Sequence, residues 1–357
     1  MSEKIPKGWK WVKLGEVVTL QRGYDLPKSK MKKGNIPVVG SNGIIGYHNK
    51  ATTKAPGITI GRSGNIGNAY LHKSDFWAHN TTLYVKDFKG NDVIFLFYLF
   101  KNIDFNQLNA GSAVPTLNRN HIYPIEVKIP IRIEDQKAIA EVLSSIDDKI
   151  DLLHRQNKTL EEMAMTLFRQ WFIEPTKDGL PEGWEEVSLG EIIEISSGKS
   201  IEKGKLKEKG LYPVLGANGE IGRTDDWLYE GELIYTGRVG TLGNVFIVFR
   251  NEKVWLTDNT LVIKPNKNEY FYFVYFTLKN AKLDEYNSGS TQPLIRQSDI
   301  KKIEIFLPKI NFLKDFEVIS RNLFTKIQFD TSQIQTLDKL RDTLLPKLMS
   351  GELRVKV

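Results

Sequence analysis

Cysteine is absent from the 357-residue chain, which excludes disulfides, thiolate metal sites and a cysteine nucleophile, and fits a reducing compartment. There is no Pro-Pro pair, so the Asp/Asn-Pro-Pro-aromatic motif that holds a flipped adenine in a methyltransferase is missing. No Gly-x-Gly loop opens a helix to cradle a nucleotide. Ser197-Gly198-Lys199-Ser200 has the look of a phosphate-loop ending, but Ile193 stands where that loop's first glycine belongs. The five histidines, His48, His72, His79, His121 and His154, lack ligand spacing. Long apolar runs are missing too: Met1 to Trp11 has no signal core, and Val93 to Phe100 and Tyr270 to Leu278 are too short to span a bilayer and read as buried elements. These absences argue against a self-contained enzyme, a metal centre and a membrane protein.

What is present is an ordinary globular composition, 41% hydrophobic and 26% charged, long enough for two domains with real cores. The net charge of +7 is compatible with nucleic acid without requiring it. Its distribution is more telling. Lysines cluster at Lys28, Lys30, Lys32 and Lys33 and again at Lys203, Lys205, Lys207 and Lys209, each cluster shortly after the opening strand of its block. Solvated loops explain either cluster alone; recurrence at matching places points to phosphate-facing loops.

Self-comparison exposes an internal repeat. Pro6-Lys-Gly-Trp9 and Leu14-Gly-Glu16 recur as Pro181-Glu-Gly-Trp184 and Leu189-Gly-Glu191. Pro37-Val-Val-Gly40-Ser-Asn42-Gly43 answers Pro213-Val-Leu-Gly216-Ala-Asn218-Gly219, and Gly61-Arg62-Ser-Gly64-Asn-Ile-Gly67-Asn68 answers Gly237-Arg238-Val-Gly240-Thr-Leu-Gly243-Asn244. Trp77 with Thr82-Leu83 answers Trp255 with Thr260-Leu261, and Gly111-Ser112 with Pro115 answers Gly289-Ser290 with Pro293. Within each copy, short β-branched and aromatic runs such as Gly57 to Ile60 and Leu233 to Tyr235 alternate with Gly- and Asn-rich turns, and Asp92 to Asn102 reads as a helix capped by Asp92. Each block is α+β.

A heptad seam follows each block. The first is Ile139, Leu143, Ile146, Ile150, Leu153, Leu160, Ala164, Leu167 and Trp171, broken by Asn157; the second is Leu323, Ile327, Asp330, Ile334, Leu337, Arg341, Leu344 and Leu348, with Pro346 expected to end or kink it. A helix from Ile133 to Phe172 would be roughly 55–60 Å long. Two seams in one register favour mutual pairing over separate packing on each block, with Asn157, Asp330 and Arg341 as polar register positions. Pseudo-two-fold symmetry then makes the pair antiparallel. The expected division is a first recognition block at 1–131, a long helix at 132–174, a second block at 175–309 and a second long helix at 310–357.

The Gly-Trp openings, the first helix ending Leu167-Phe168-Arg169-Gln170-Trp171-Phe172 and the second ending Leu344-Leu345-Pro346-Lys347-Leu348-Met349-Ser350-Gly351-Glu352-Leu353 resemble the specificity subunit of type I restriction-modification systems over essentially the whole chain. One feature departs from the pattern. The first helix enters through Ile133-Glu134-Asp135-Gln136-Lys137, close to the family's Glu-x-Gln start, whereas the second reads Ile310-Asn311-Phe312-Leu313-Lys314. The resemblance implies a non-catalytic, cytoplasmic prokaryotic protein whose two target recognition domains each bind one half of a bipartite duplex DNA target. It implies that the paired helices set the spacer and dock two methyltransferase (modification) subunits, which restriction subunits join. S-adenosylmethionine, ATP and Mg belong to those partners, and this chain is expected to carry no cofactor and no metal.

Arg62 and Arg238 lie in matched Gly-rich loops where a guanidinium can meet a phosphate or guanine O6 and N7; the other reading is that the glycines satisfy tight turns and the arginines hold a local carboxylate. Residues alike in both copies cannot distinguish two half-sites. Lys30, Lys32, Arg62, Asn68, Lys205, Lys207, Arg238 and Asn244 are therefore the candidates for shared or phosphate contacts. Specificity belongs where the copies differ: Asn65 against Thr241, Tyr47 and His48 against Arg223 and Thr224, Asn118 and Arg119 against Arg296 and Gln297, and Ala113 against Thr291. Ile146, Ile150, Leu153, Leu160, Leu323, Ile327, Ile334 and Leu337 are the candidates for helix pairing and subunit docking. The competing reading is a duplicated scaffold or adaptor that binds protein or carbohydrate.

Overall fold

The computed structural model describes residues 5–108, 116–288 and 292–356. The first block runs β1 (Trp9–Lys13), α1 (Leu14–Val17), β2 (Thr19–Arg22), β3 (Ile36–Gly40), β4 (Gly43–His48), β5 (Gly57–Gly61), β6 (Ala69–His72), β7 (Trp77–Ala78), β8 (Thr82–Asp87), α2 (Val93–Lys101), α3 (Arg119–Ile122) and β9 (Glu126–Pro130), and the long helix α4 (Ile133–Phe168) follows. The second repeats the plan with β10 (Glu185–Ser188), β11 (Ile193–Ser197), β12 (Tyr212–Gly216), β13 (Gly219–Thr224), β14 (Tyr229–Glu230), β15 (Leu233–Gly237), β16 (Val245–Val248), β17 (Lys253–Leu256), β18 (Thr260–Pro265), α5 (Phe271–Asn280), α6 (Gln297–Lys301) and β19 (Glu304–Leu307), and ends in α7 (Ile310–Ser350). Both blocks contain an antiparallel four-stranded sheet, ordered β2-β8-β5-β6 and β11-β18-β15-β16. Each block has a further sheet, three-stranded β4-β3-β7 and four-stranded β13-β12-β17-β14, in which β3 pairs parallel to β7 and β12 to β17. The fold is α+β, with two homologous domains and two long helices.

The chain divides into two compact units, Met1–His154 with Ser332–Val357, and Arg155–Thr331. The last strands of the blocks end at Pro130 and Leu307, and the long helices start at Ile133 and Ile310, but the compact units divide inside α4 and α7, because each half-helix shares a core with a block. In the first unit α2 is buried almost all round, as its continuous apolar sequence requires. Asp92 caps it, accepting from the Phe95 N–H at 2.8 Å. Ile139, Ala140 and Leu143 of α4 and Leu348 and Met349 of α7 close this core. Gln136, nearly inaccessible, binds the Asn91 side chain (3.0 Å), the Pro130 carbonyl (3.1 Å) and the Asp92 N–H (3.0 Å), clamping the start of α4 to the cap of α2. The corresponding position in α7 is buried, apolar Leu313, which explains why the second helix starts at Ile310 without the Glu-x-Gln sequence.

Within the first unit the helices run antiparallel. Ile146, Ile150, Leu153 and Ile334 form one buried cluster with Leu337 and Leu344 against it. Asp147 accepts from Tyr98 of α2 at 2.8 Å and from Arg341 of α7 at 3.1 Å, so one carboxylate ties three helices together. Within the second unit Asn157 donates to Thr331 at 3.3 Å, and the Phe168 and Phe316 rings lie 6.1 Å apart, again antiparallel. Here the expected seam needs correction. Leu323 and Ile327 are only half-buried, and α7 turns Leu313, Phe316, Ser320 and Phe324 inward; Leu313, Phe316 and Phe324 join Phe168 and Phe172 in a largely aromatic core with Phe273 and Phe276 of α5. Leu167 and Trp171 likewise yield to Phe168 and Phe172, and Leu160 is half-buried. Here each helix faces α5 as well as its partner helix, so the buried stripe is wider than a two-helix seam. Pro346 does not end α7, which continues to Ser350. The helix stops one residue later, where Gly351 adopts φ +74° and a Cβ would lie 2.8 Å from Pro6 and 2.9 Å from Trp9.

Candidate nucleic-acid interface

In the first unit the matched arginine loop springs from the end of β5. Gly61 has no room for a side chain, since a Cβ would lie 2.0 Å from the Asn65 carbonyl oxygen, and Gly64 and Gly67 take φ of +81° and +82°. Arg62 N–H donates to the Thr81 carbonyl (2.8 Å), and the Arg62 carbonyl accepts from Leu117 N–H (2.8 Å). The second copy repeats this bond for bond. A Cβ on Gly237 would sit 2.1 Å from the Thr241 oxygen, Arg238 N–H donates to Asn259 (2.8 Å), and its carbonyl accepts from Ile295 N–H (2.9 Å).

The glycines therefore do satisfy a tight turn. The arginines do not hold carboxylates: among the described residues, neither Arg62 nor Arg238 has an ion pair. Burial pushes the half-buried Arg62 guanidinium down from its usual range, and the like charge of Arg22 adds to that. A partly desolvated guanidinium without a counter-ion, held on a rigid turn, is suited to a phosphate or to the acceptor edge of a base.

The other candidates separate clearly. Lys30 and Lys32 are exposed and make no ion pair among the described residues, whereas Lys205 pairs with Asp226 at 3.0 Å and Lys207 with Asp225. Asn68 and Asn65 are exposed on the loop, as are Thr241 and Asn244 on its copy, where Asn244 donates to Asn218 at 2.8 Å. Tyr47 is exposed on β4. His48 is not available: it is buried edge-on to Trp77, and its Nδ1 accepts from Lys32 N–H at 2.9 Å. Arg223 is consumed by the Gly210 and Leu211 carbonyls and by Glu220 at 2.8–3.0 Å, and Thr224, the counterpart of His48, is buried. Both residues hold the hairpin rather than face a ligand.

Asn118 caps α3 through the Asn120 N–H (3.0 Å), and Arg119 reaches the Leu20 carbonyl (3.3 Å). Arg296 N–H is held by Asp299 (3.1 Å) with its residue exposed, and the Gln297 amide bonds Ser197 Oγ (3.1 Å). Thr291 and Ala113 lie outside the described residues. Of the helix candidates, Ile146, Ile150, Leu153 and Ile334 are buried between the helices of the first unit, so they pair helices and are closed to a docking partner.

Two features escaped the residue-type reasoning. The first is Arg22, at the end of β2 beside Arg62; aligning Arg22-Gly23 with Ser197-Gly198 was the available signal. The second is an exposed stripe on the helices. Thr159-Leu160-x-x-Met163-x-x-Thr166-Leu167 recurs as Thr336-Leu337-x-x-Leu340-x-x-Thr343-Leu344. Its Thr-Met-Thr and Thr-Leu-Thr faces are exposed, Met163 by 50% and Leu340 by 44%. Each threonine hydroxyl donates to the carbonyl four residues before it, at 2.7–3.0 Å, and so presents a methyl group outward. One stripe belongs to each unit. Among the described residues no cluster of His, Asp or Glu has the makings of a metal site, and no helix is long and apolar enough to cross a membrane.

Two congruent α+β blocks, each followed by a long helix and each presenting an uncompensated arginine, define a duplicated binding protein. The sequence model of the type I restriction modification DNA specificity domain matches residues 6–162 and 181–328, and the chain belongs to that family. The type I restriction enzyme MjaIX specificity subunit of Methanocaldococcus jannaschii is 28% identical over an alignment taking in 99% of this chain and 95% of that protein. A putative type I specificity subunit of Mycoplasma genitalium is 25% identical, covering 94% and 90% respectively. The crystal structure of a type I restriction-modification S subunit from M. genitalium shares the fold, with a TM-score of 0.65 and 19% identity over 97% of this chain and 98% of that one.

Proposed function

We propose that this chain is the DNA-reading specificity subunit of a type I restriction-modification system, itself without catalytic activity, with each block reading one half of a bipartite duplex target. The observation that carries the reading is the bond-for-bond repetition of the arginine loops without carboxylate partners, in a chain of the DNA specificity family. A scaffold for protein or carbohydrate has no comparable use for an unneutralised guanidinium in each copy.

The helices set the gap between half-sites, and the repeated Thr-Met-Thr and Thr-Leu-Thr stripes dock two copies of one partner, the methyltransferase subunit. The buried pairing residues are not needed for this. An exposed apolar stripe has no folding reason to be duplicated at the same helical positions; a partner that uses both copies alike supplies one. Restriction subunits join that assembly in the cytoplasm, and S-adenosylmethionine, ATP and Mg are bound by those partners.

Co-expression with the methyltransferase subunit of the same locus, followed by single-base mapping of N6-methyladenine in host DNA, tests the reading. A two-part motif with a fixed gap, lost when this chain is omitted, is the expected result. A soluble complex that leaves no such motif refutes it.

A further inference from the structure

We infer that Arg22 reads a guanine in the half-site of the first block, and that the second block has no equivalent because Ser197 stands in its place; the inference rests on the DNA-reading function proposed above. Arg22 closes β2 opposite Leu83 of β8, and Ile60 of β5 faces the same Leu83 from the other side. Arg22 and Arg62, two residues past Ile60, thus lie at the same end of one sheet. In the second block Ser197 and Thr236 flank Leu261 in the same register, so the two positions correspond strand for strand.

The turn that follows is fixed identically in both copies. A Cβ on Gly23 would lie 2.1 Å from the His79 carbonyl oxygen, and one on Gly198 2.2 Å from that of Thr257. Tyr24 N–H donates to Ala78 at 2.8 Å and Lys199 N–H to Leu256 at 2.9 Å. The Trp77 indole reaches the Tyr24 carbonyl at 3.3 Å, and the Trp255 indole reaches that of Lys199 at 2.9 Å. The backbone presentation is shared, and the side chain it presents is what differs.

The Arg22 side chain is exposed and among the described residues makes one long bond, Nε to the Asn80 carbonyl at 3.4 Å, with both terminal nitrogens left to donate. No carboxylate pairs with it or with Arg62 among the described residues. Arg119 bonds the Leu20 carbonyl, two residues before Arg22 on β2, and Arg22 lies close enough to Arg62 for its like charge to act on that guanidinium, where the second block places Ser197 and Arg238. Like charges brought together without compensation are relieved by a ligand rich in acceptors.

Arg62 and Arg238 are common to both blocks and carry no information about which half-site is bound. Arg22 is private to one block. Guanine O6 and N7 form the base edge that takes two parallel guanidinium donors in the major groove, whereas Ser197, already engaged with Gln297, offers no fork.

The test is methylation mapping with the full chain in its complex, comparing the wild type with Arg22→Ser, Arg22→Lys and Ser197→Arg. Arg22→Ser installs the residue that the second copy already tolerates on the same backbone, and recovery of the complex confirms that it folds. The expected result is loss of preference for guanine at one position of one half-site, by roughly tenfold to a hundredfold over the other bases, with the second half-site and the gap unchanged. Arg22→Lys is expected to weaken that same preference, since an ammonium keeps the charge but not the fork. Ser197→Arg is expected to alter the other half-site only.

An unchanged motif in both Arg22 variants, with uniformly weaker, less salt-sensitive methylation for Arg22→Ser and little change for Arg22→Lys, makes Arg22 a phosphate contact and overturns the inference while sparing the DNA-reading function. Absence of any bipartite motif with the wild-type chain defeats both.

Discussion

Replacing Asp330 by leucine is expected to stabilise the second unit. Asp330 is wholly inaccessible on α7, and among the described residues its Oδ1 meets Lys326 one turn earlier while its Oδ2 and the Asn157 side-chain oxygen have no hydrogen-bond partner. A buried carboxylate costs several kcal/mol in lost hydration, and a single lysine whose side chain is 42% exposed returns only part of that. A leucine at this inward position removes the carboxylate and buries apolar surface instead, for a net gain of about 1–4 kcal/mol. In a unit the size of Arg155–Thr331 this corresponds to a rise in Tm of roughly 2–4 °C per kcal/mol.

Lys326→Met is expected to act in the opposite direction, by about 2 kcal/mol, less than the loss of a fully buried partner because the lysine is partly solvated. Calorimetric melting of the full chain separates the two effects, since only the transition of the second unit moves. A lower Tm for Asp330→Leu together with an unchanged one for Lys326→Met refutes the reasoning. The carboxylate would then be contributing net stability by a route other than its lysine.

Acid sensitivity is expected in the first unit. His72 is pushed down to about 4 by burial, with its Nε2 against Thr59 Oγ1 at 2.9 Å and its ring 4.2 Å from Phe76. The unfolded chain takes up a proton near pH 6.5 and the folded one only near 4, so the histidine costs nothing above pH 7 and removes up to ~1.4 kcal/mol per pH unit between those values. His72→Gln is expected to flatten the fall of Tm from pH 7 to 5, and an equally steep fall in the variant removes the assignment. Met163→Asp or Leu340→Asp is expected to reduce the methyltransferase subunits bound per chain from two to one without changing Tm by more than about 1 °C, as read by native mass spectrometry; full occupancy in the double variant disposes of the stripe. Inserting four residues into α4 near Asn157 and four into α7 near Ile334 adds ~6 Å, close to two base pairs of ~3.4 Å. The gap between the mapped half-sites is expected to grow while their bases stay the same, and a constant gap shows that the helices do not set it.

The repeat, the two long helices and the Asp92 cap were legible because each depends on local spacing or on the chain compared with itself. The phase of α7 in the second unit was not. Leu323 and Phe324 both fit an apolar stripe, and the choice between them is made by α5, whose Phe273 and Phe276 come from a distant part of the sequence. Site residues were legible as loops but not as charges. Sequence gives no sign that Lys205 and Lys207 face Asp226 and Asp225 while Lys30 and Lys32 make no ion pair among the described residues, or that His48 is enclosed beside Trp77. Arg22 was overlooked because its importance comes from its strand neighbours across β8, which no motif records.

The division of the chain inside its helices bears on how the protein is made. The second unit is one uninterrupted stretch, Arg155–Thr331, whereas the first needs Ser332–Val357 as well. Leu348 and Met349 belong to the core of the first unit, and Gly351 is fitted against Pro6 and Trp9. On the ribosome, therefore, the block synthesised first is the one completed last. It waits, its apolar α2 lacking part of its cover, until the last turns of α7 emerge, and the block translated second can close before it.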